Sequence, residues 1–471
     1  MAQTTIASPQ LWTAGYNPVK YIMDSTNKNQ VGFKYVFDIY PSGSTTKLKE
    51  FKILPRFGDG YGECDLSRLL VSQMSYTEEY GTLGGQNATD SFYKYDVKVG
   101  EEYQISYSIN TPVDNGGYLR LNTTTSNTFS AGDQVSISGS NVVDVDGLYN
   151  IVSVQSATSF TISLPYKAAY ASLTTGTIVY ADGRKTITRN ITTMLNRYVF
   201  NGALPFKDFP SYNYVDYQPS SNNFKLLTSM PTDGMYVRED QQLSALMINS
   251  TGGYQQGLFV ENSNGDIFRM DIPNTNTVTY MPLGAANLDL YVESGTAPLI
   301  KPDTEWYEIY PTNYQVGDEK FGQSFKFYID RRCSINDYYI GFIDRMGAFN
   351  TFAFTLKSYE RGTIQRQTYN KNIYGYVSGG DWLYSTTDVG EQITGVQVDK
   401  TYELSTNWMT EAMAIYFEEL LTSPRTFFIE NDVLTPCIIQ DSSFEIEKQR
   451  NKNLFRKTIT IRLANENIVN V

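Results

Sequence analysis

Apolar residues recur at every second position through most of this chain. In GFKYVFDIY, Phe33, Tyr35, Phe37 and Ile39 fall on one face of a strand. KLKEFKILP continues the alternation, with Leu48, Phe51 and Ile53 set among lysines. The run from Tyr93 to Ile109 reads as two strands joined at Val99-Gly100-Glu101, and DLSRLLVSQM, from Asp65 to Met74, as a short helix capped by Asp65. Helical spacing returns only in STNWMTEAMAIYFEELLTSP. There Met409, Ala412, Met413, Tyr416 and Leu420 make a stripe, Ser405, Thr406 or Asn407 can cap it, and Pro424 stops it. A last pair of strands, SFEIEKQ and LFRKTITIRL, closes the chain.

The polar positions divide the chain. Over 112–181, Thr, Ser, Asn and Gly take over, and Val135 and Ile137, then Ile151, Val152 and Val154, then Phe160, Ile162 and Leu164, mark three closely spaced strands. This predicts a small β-barrel or sandwich inserted in a loop, with YQISYSI and GTIVYADGRKTI pairing as its stem. The N-terminal β domain then spans 1–111 and continues over 182–228. A middle β unit follows at 229–303, with Asn264-Gly265 as a type I′ hairpin turn. The C-terminal β domain covers 304–471, with one helix near 407–422. The expected fold is mainly β, a multidomain β-sandwich/β-barrel architecture with an inserted small β domain and a few short helices.

Composition narrows the chemistry. The 471 residues include no His, so the commonest general base and zinc ligand, and every Ser-His or Cys-His nucleophile, are excluded. Cys64, Cys333 and Cys437 are far apart and suit buried, unreactive thiols. The net charge of −12 argues against nucleic-acid recognition as the main task. No stretch is apolar enough for a membrane-spanning helix, and the N-terminus lacks a signal-peptide pattern, so synthesis in a cytoplasm is expected.

The remaining motifs read as structure. Asp144-Val145-Asp146-Gly147 begins like a calcium loop, but Leu148 and Tyr149 follow where ligands are needed, so a plain turn is expected. The pairs Glu78-Glu79, Glu101-Glu102 and Glu418-Glu419 diverge on any regular element and read as solvated surface charge. Gly58 to Gly62 lacks the lysine of a phosphate loop. Lys448, Arg450, Lys452, Arg456 and Lys457 form a basic cluster that would blunt a sheet edge. No catalytic, cofactor or metal residues are expected, and the chain does not read as an enzyme.

One stretch stands apart. YYIGFIDRMGAFNTFAF, residues 338–354, crowds aromatics around an Asp-Arg-Met-Gly turn. Alternation puts Phe352 and Phe354 on one face and Phe349 on the other. A hairpin apolar on both faces is either central between two layers or covered on one side by another chain. The Tyr-rich, weakly charged composition, with 37 Tyr and 25 Phe, favours the second reading. Tyr339, Phe342, Phe349, Phe352 and Phe354 are therefore the candidate subunit-interface residues.

SPQLWTAGYNPVKYIMDSTNKNQVGFKYVFDIY resembles the N-terminal segment of a virion-protein family of tailed bacteriophages, particularly those infecting Bacteroidetes. YIGFIDRMGAFNTFAF is similar to an aromatic hairpin of that family, and LSTNWMTEAMAIYFEELLTSPRTFFI also fits. The resemblance implies a structural component of the tail, tail tip or collar, located in the virion and assembled as a symmetric ring with other copies and other tail proteins. It implies no cofactor and no catalytic residues. The alternative is a tail-tip adhesin that stacks exposed Tyr and Trp on host-surface glycan, with the inserted domain as its first candidate.

Overall fold

The computed structural model describes residues 3–76, 80–81, 86–218, 223–248, 257–271, 278–289, 298–312, 320–372, 375–387, 390–441, 454–464 and 467–469. It is mainly β, with several sheets, one closed barrel and three α-helices among the described residues. Two units divide the chain. One comprises Met1–Thr13, Pro18–Leu70 and Lys94–Val199, and the other Ala14–Asn17, Val71–Tyr93 and Phe200–Val471.

The first unit is built on Lys34–Pro41, which lies between Lys49–Ile53 and Phe92–Gln104. Phe33, Tyr35, Phe37 and Ile39 are all buried, and so are Val36 and Asp38, so this strand is covered on both faces. The expected break at Gly100 is absent, because Phe92–Gln104 runs through it. A Cβ at Gly100 would lie 2.3 Å from the Thr188 carbonyl oxygen. The glycine thus marks the close passage of another backbone rather than a turn.

Within this unit sits a closed six-stranded barrel: Ser106–Asn115, Tyr118–Thr123, Gln134–Ser138, Gly147–Ser156, Ser159–Pro165 and Thr177–Tyr180. Ser106–Asn115 pairs with Thr177–Tyr180, as expected of a stem, but both are staves of the barrel, which therefore begins at 106 rather than 112. Phe129 plugs the interior against Tyr107, Phe160 and Tyr180, with ring centroids 4.8–4.9 Å apart. Ile151 points inward while Val152 and Val154 are exposed on the outer surface.

In the second unit no boundary falls at 303/304. Leu258, Val260 and Met281 share one buried cluster with Phe352, Leu404 and Ile461. The turn at Asn264-Gly265 is not type I′, which needs positive φ at both central residues. Only Gly265 has it, at +84°, and the Asn262 side chain accepts hydrogen bonds from the Asn264 and Asp266 backbone N–H groups instead. The long helix is Glu411–Thr422, capped by Thr410 through its bond from the Met413 N–H, so it begins later than predicted. Thr406 and Met409 are held extended by backbone bonds to Lys457 and Phe455 and cannot join the helix.

The largest sheet runs in the order Phe349–Phe354, Tyr338–Ile343, Thr426–Glu430, Val433–Ile439, Thr458–Leu463, Glu391–Ser405 and Tyr359–Asn370. The expected strand SFEIEKQ, Glu78-Glu79 and Lys448, Arg450 and Lys452 lie outside the described residues.

Candidate interaction surface

The aromatic hairpin occupies one edge of that sheet, with Tyr338 opposite Phe354 and Ile343 opposite Phe349. Its faces divide as alternation requires. Phe342, Phe352 and Phe354 join the main core, where Phe352 meets Phe417 edge-on at 5.1 Å and Phe342 meets Tyr416 at 5.8 Å. Tyr339 and Phe349 face the other way, against Tyr76, Tyr80 and Phe427. None of the five is more than 8% exposed. They are covered on both faces by this chain and present no surface to a neighbour, which overturns their assignment as a subunit seam. The hairpin is central between two layers.

Its turn is equally committed to the interior. Asp344 accepts hydrogen bonds from the Met346 and Ala348 N–H groups at 3.0 and 2.9 Å, and Gly347 has φ +92°. A Cβ on Gly347 would sit 2.3 Å from the Asn201 carbonyl oxygen, and the Ala203 N–H donates to the Arg345 carbonyl at 2.6 Å. Burial pushes the Asp344 carboxyl up to about 7, and the charge of Glu419 adds to the rise against the turn's N–H donors.

The opposite edge of the sheet is open. Tyr359–Asn370 pairs with Glu391–Ser405 in a ribbon running from Tyr359↔Glu403 to Asn370↔Glu391, and its other edge pairs with no strand among the described residues. At about 3.4 Å per residue its twelve rungs span roughly 40 Å. All twelve residues of the outer strand are exposed. Register makes the ribbon two-faced. Arg361, Thr363, Gln365 and Gln367, with Thr401, Asp399 and Gln397, form a polar side. Ile364 faces Val398, Arg366 faces Val396, Thr368 faces Ile393 and Glu360 faces Tyr402 on the other side, which carries an apolar stripe. Ile364 is 50% exposed and Ile393 45%. At its root the stripe joins the core, where Tyr402 stacks on Phe428 at 4.9 Å. Two ion pairs brace the same end, Lys400–Glu360 at 2.6 Å and Arg361–Glu403 at 2.7 Å.

The segment between the two long strands carries a small hairpin of its own. Tyr376–Ser378 pairs with Asp381–Leu383 around Gly379 and Gly380, both at positive φ, which is the two-residue turn a tight hairpin needs. Tyr376, Val377, Leu383 and Tyr384 are exposed, and Trp382 is 58% exposed with its ring 5.8 Å from that of Tyr384. Sequence reasoning passed over this arm. Its signal was the alternation of Ile393, Val396, Val398 and Tyr402 opposite Ile364, which is visible only once the two distant runs are paired.

The other motifs resolve into structure. Glu101 and Glu102 are buried, not solvated. Glu101 accepts from Ser25 and Asn27 at 2.6 and 2.8 Å, and Glu102 pairs with Lys52 and Lys185. Glu419 is buried and paired to Arg345. Asp146 accepts from the Gly139 and Ser140 N–H groups, which closes its turn. Gly62 packs on the Tyr35 ring, and the Tyr35 hydroxyl donates to the Gly60 carbonyl at 2.9 Å. Met409 and Met413 are buried in the core. Cys64 and Cys437 are buried, with burial pushing the thiols up to about 12 and about 11, whereas Cys333 is exposed. The four tryptophans include none in the barrel; the exposed ones are Trp382 and Trp408.

No family model matches the chain, and no curated protein matches it. Among solved structures it is similar to the BSP domain of a biofilm-associated protein, at 10% identity over 85% of this chain and 93% of that one, with a TM-score of 0.16. It is also similar to an endosialidase of phage phi92, at 8% identity over 98% of this chain and 68% of that one, with a TM-score of 0.15. At such scores neither likeness carries an argument about fold or function.

Proposed function

We propose that this chain is a structural component of a tailed-phage virion, a tail- or baseplate-type part that closes into a ring of copies through its arm. The observation that carries the reading is the two-faced ribbon, exposed over its whole outer strand and bearing an apolar stripe that is half-buried at its root and exposed at Ile364 and Ile393. The ribbon's inner strand is backed by Thr458–Leu463 and Asn467–Val469, whereas its outer strand offers an open edge, a template for pairing. A second copy suits it best, because a head-to-tail contact in which the arm of one copy lies on the next repeats around a symmetry axis and closes into a ring. The resemblance of the N-terminal segment, the aromatic hairpin and the helix to a phage virion family supplies the setting. The work done is assembly, with rigid β-units fixing the geometry.

The test is the mass of the purified chain by light scattering across a range of concentrations. A defined oligomer that Ile364→Asp shifts back toward monomer supports the proposal. A wild-type chain that stays monomeric throughout contradicts it.

A second reading, a tail-tip adhesin for host-surface glycan, is favoured by the exposed Trp382 and Tyr384 rings, which are of the kind that stack on sugar faces. Its site is then the arm's small hairpin and not the barrel. Loss of glycan binding in Trp382→Ala, with mass unchanged, is the expected result under that reading.

A further inference from the structure

A cleft of about 460 Å³ opens beside the Asp344–Gly347 turn, within the size range of small-ligand sites. Arg345, Tyr416, Glu419 and Ser229 contribute to its walls, and Lys225 and Lys207 also line it. Two hydroxyls there are left over. The Tyr416 side chain is only 2% exposed and its hydroxyl has no hydrogen-bond partner among the described residues; the buried Ser229 hydroxyl has none either. Unmade bonds of this kind are costly when buried.

The charges are unbalanced in the same place. Asp344 and Glu419 are two buried carboxyls, and the one arginine of the turn, Arg345, pairs with Glu419. It binds Glu419 through its guanidinium, and through its backbone N–H at 3.0 Å. With both acids ionised the group is one positive charge short, a state that burial penalises strongly. Glu419 has lone pairs to spare beyond these two bonds. Neither Lys207 nor Lys225 forms an ion pair among the described residues, and the other charged groups lining the cleft, Asp208, Asp216 and Glu418, add negative charge. Among the described residues no three acids, cysteines or histidines gather as a metal would need.

We infer that this cleft is a socket for a guanidinium or primary ammonium group, whose N–H bonds would go to Glu419, Tyr416 and Ser229 and whose charge would balance Asp344. An N–H cation supplies both missing elements, the donors and the charge. Burial and the charge of Glu419 raise the Asp344 carboxyl, so positive charge brought beside it is favoured. The groups facing Asp344 are Glu419 and Tyr416 from the helix, Asn350 from its own hairpin, and Thr228 and Ser229 from the segment beside it, while Arg345 of its own turn pairs with Glu419. The inference stands apart from the assembly reading, because it needs no second copy.

The test titrates agmatine, which carries a guanidinium on an alkylammonium chain, into the full-length protein at pH 8. Calorimetry and thermal unfolding are read against sodium chloride at equal ionic strength. Saturable binding with a raised melting temperature is expected. Tyr416→Phe, which keeps the ring packing on Phe342 and Phe352, is expected to weaken it by about tenfold. Affinity is expected to fall at pH 6, where Asp344 holds its proton. A glycine-flanked arginine peptide that binds more tightly than agmatine would identify a protein side chain as the source, and the reverse order a free small cation. A shift that sodium chloride reproduces, or equal binding by Tyr416→Phe, overturns the inference. So does binding that appears only in Lys225→Ala, which would mean that the rim lysine already fills the socket.

Discussion

The two edges of the largest sheet make opposite use of the same element. At one edge lies the hairpin Tyr338–Ile343 with Phe349–Phe354, dense in aromatics and buried on both faces. At the other lies the ribbon Tyr359–Asn370 with Glu391–Ser405, mostly Gln, Thr and charged residues, and open along its outer strand. The conspicuous sequence is the structural one and the quiet sequence is the exposed one. Aromatic density measures how much area a hairpin can remove from water; it does not say whose surface completes the burial. Here the chain's own helix and the Tyr76 and Tyr80 rings complete it.

Substitutions break this contrast in a graded order. Phe352→Ala empties a position between Tyr416 and Phe417 and is expected to cost about 3–5 kcal/mol in denaturant unfolding. Gly347→Ala forces a Cβ against the Asn201 carbonyl at a positive φ and is expected to cost about 2–4 kcal/mol by the same measurement. Arg345→Ala strips the partner from buried Glu419, and because the arginine is partly exposed the expected loss is smaller, about 1–2 kcal/mol. Ile364→Asp, on the arm, should leave stability within about 0.5 kcal/mol and instead reduce association in sedimentation.

Asp344 adds a pH dependence confined to the buried hairpin. Its folded carboxyl is raised to about 7, above the ordinary carboxylate range of an unfolded chain. The native state therefore binds the extra proton, and the associated stability is full at low pH and lost as pH rises from about 4 through 7. Unfolding titrations at pH 5.5 and pH 8 should show this loss in the wild type and lack it in Asp344→Asn.

Much of the fold was legible in local pattern. Alternation located the strands around Phe33–Ile39 and in the barrel, and helical spacing located the stripe through Met413 and Leu420. What failed depended on partners distant in sequence. Gly100 looked like a turn because the Thr188 backbone that crosses it lies far along the chain. Glu101 and Glu102 looked solvated because Ser25, Asn27, Lys52 and Lys185 reach them only in the fold. The helix start moved to Thr410 because Phe455 and Lys457 hold the preceding residues extended. The candidate interface was misplaced for the same reason. Both faces of the hairpin were correctly read as apolar, but the layers that cover them come from Tyr76 and Tyr80 and from residues 411–430.

The measurement that bears most directly on the contrast is amide hydrogen exchange at low and high protein concentration. Protection is predicted to rise with concentration in the outer strand Tyr359–Asn370, while the amides of 338–354 stay equally protected at both. Exchange in the arm that ignores concentration, or protection that changes in the aromatic hairpin instead, would contradict the assignment of the arm as the seam between copies.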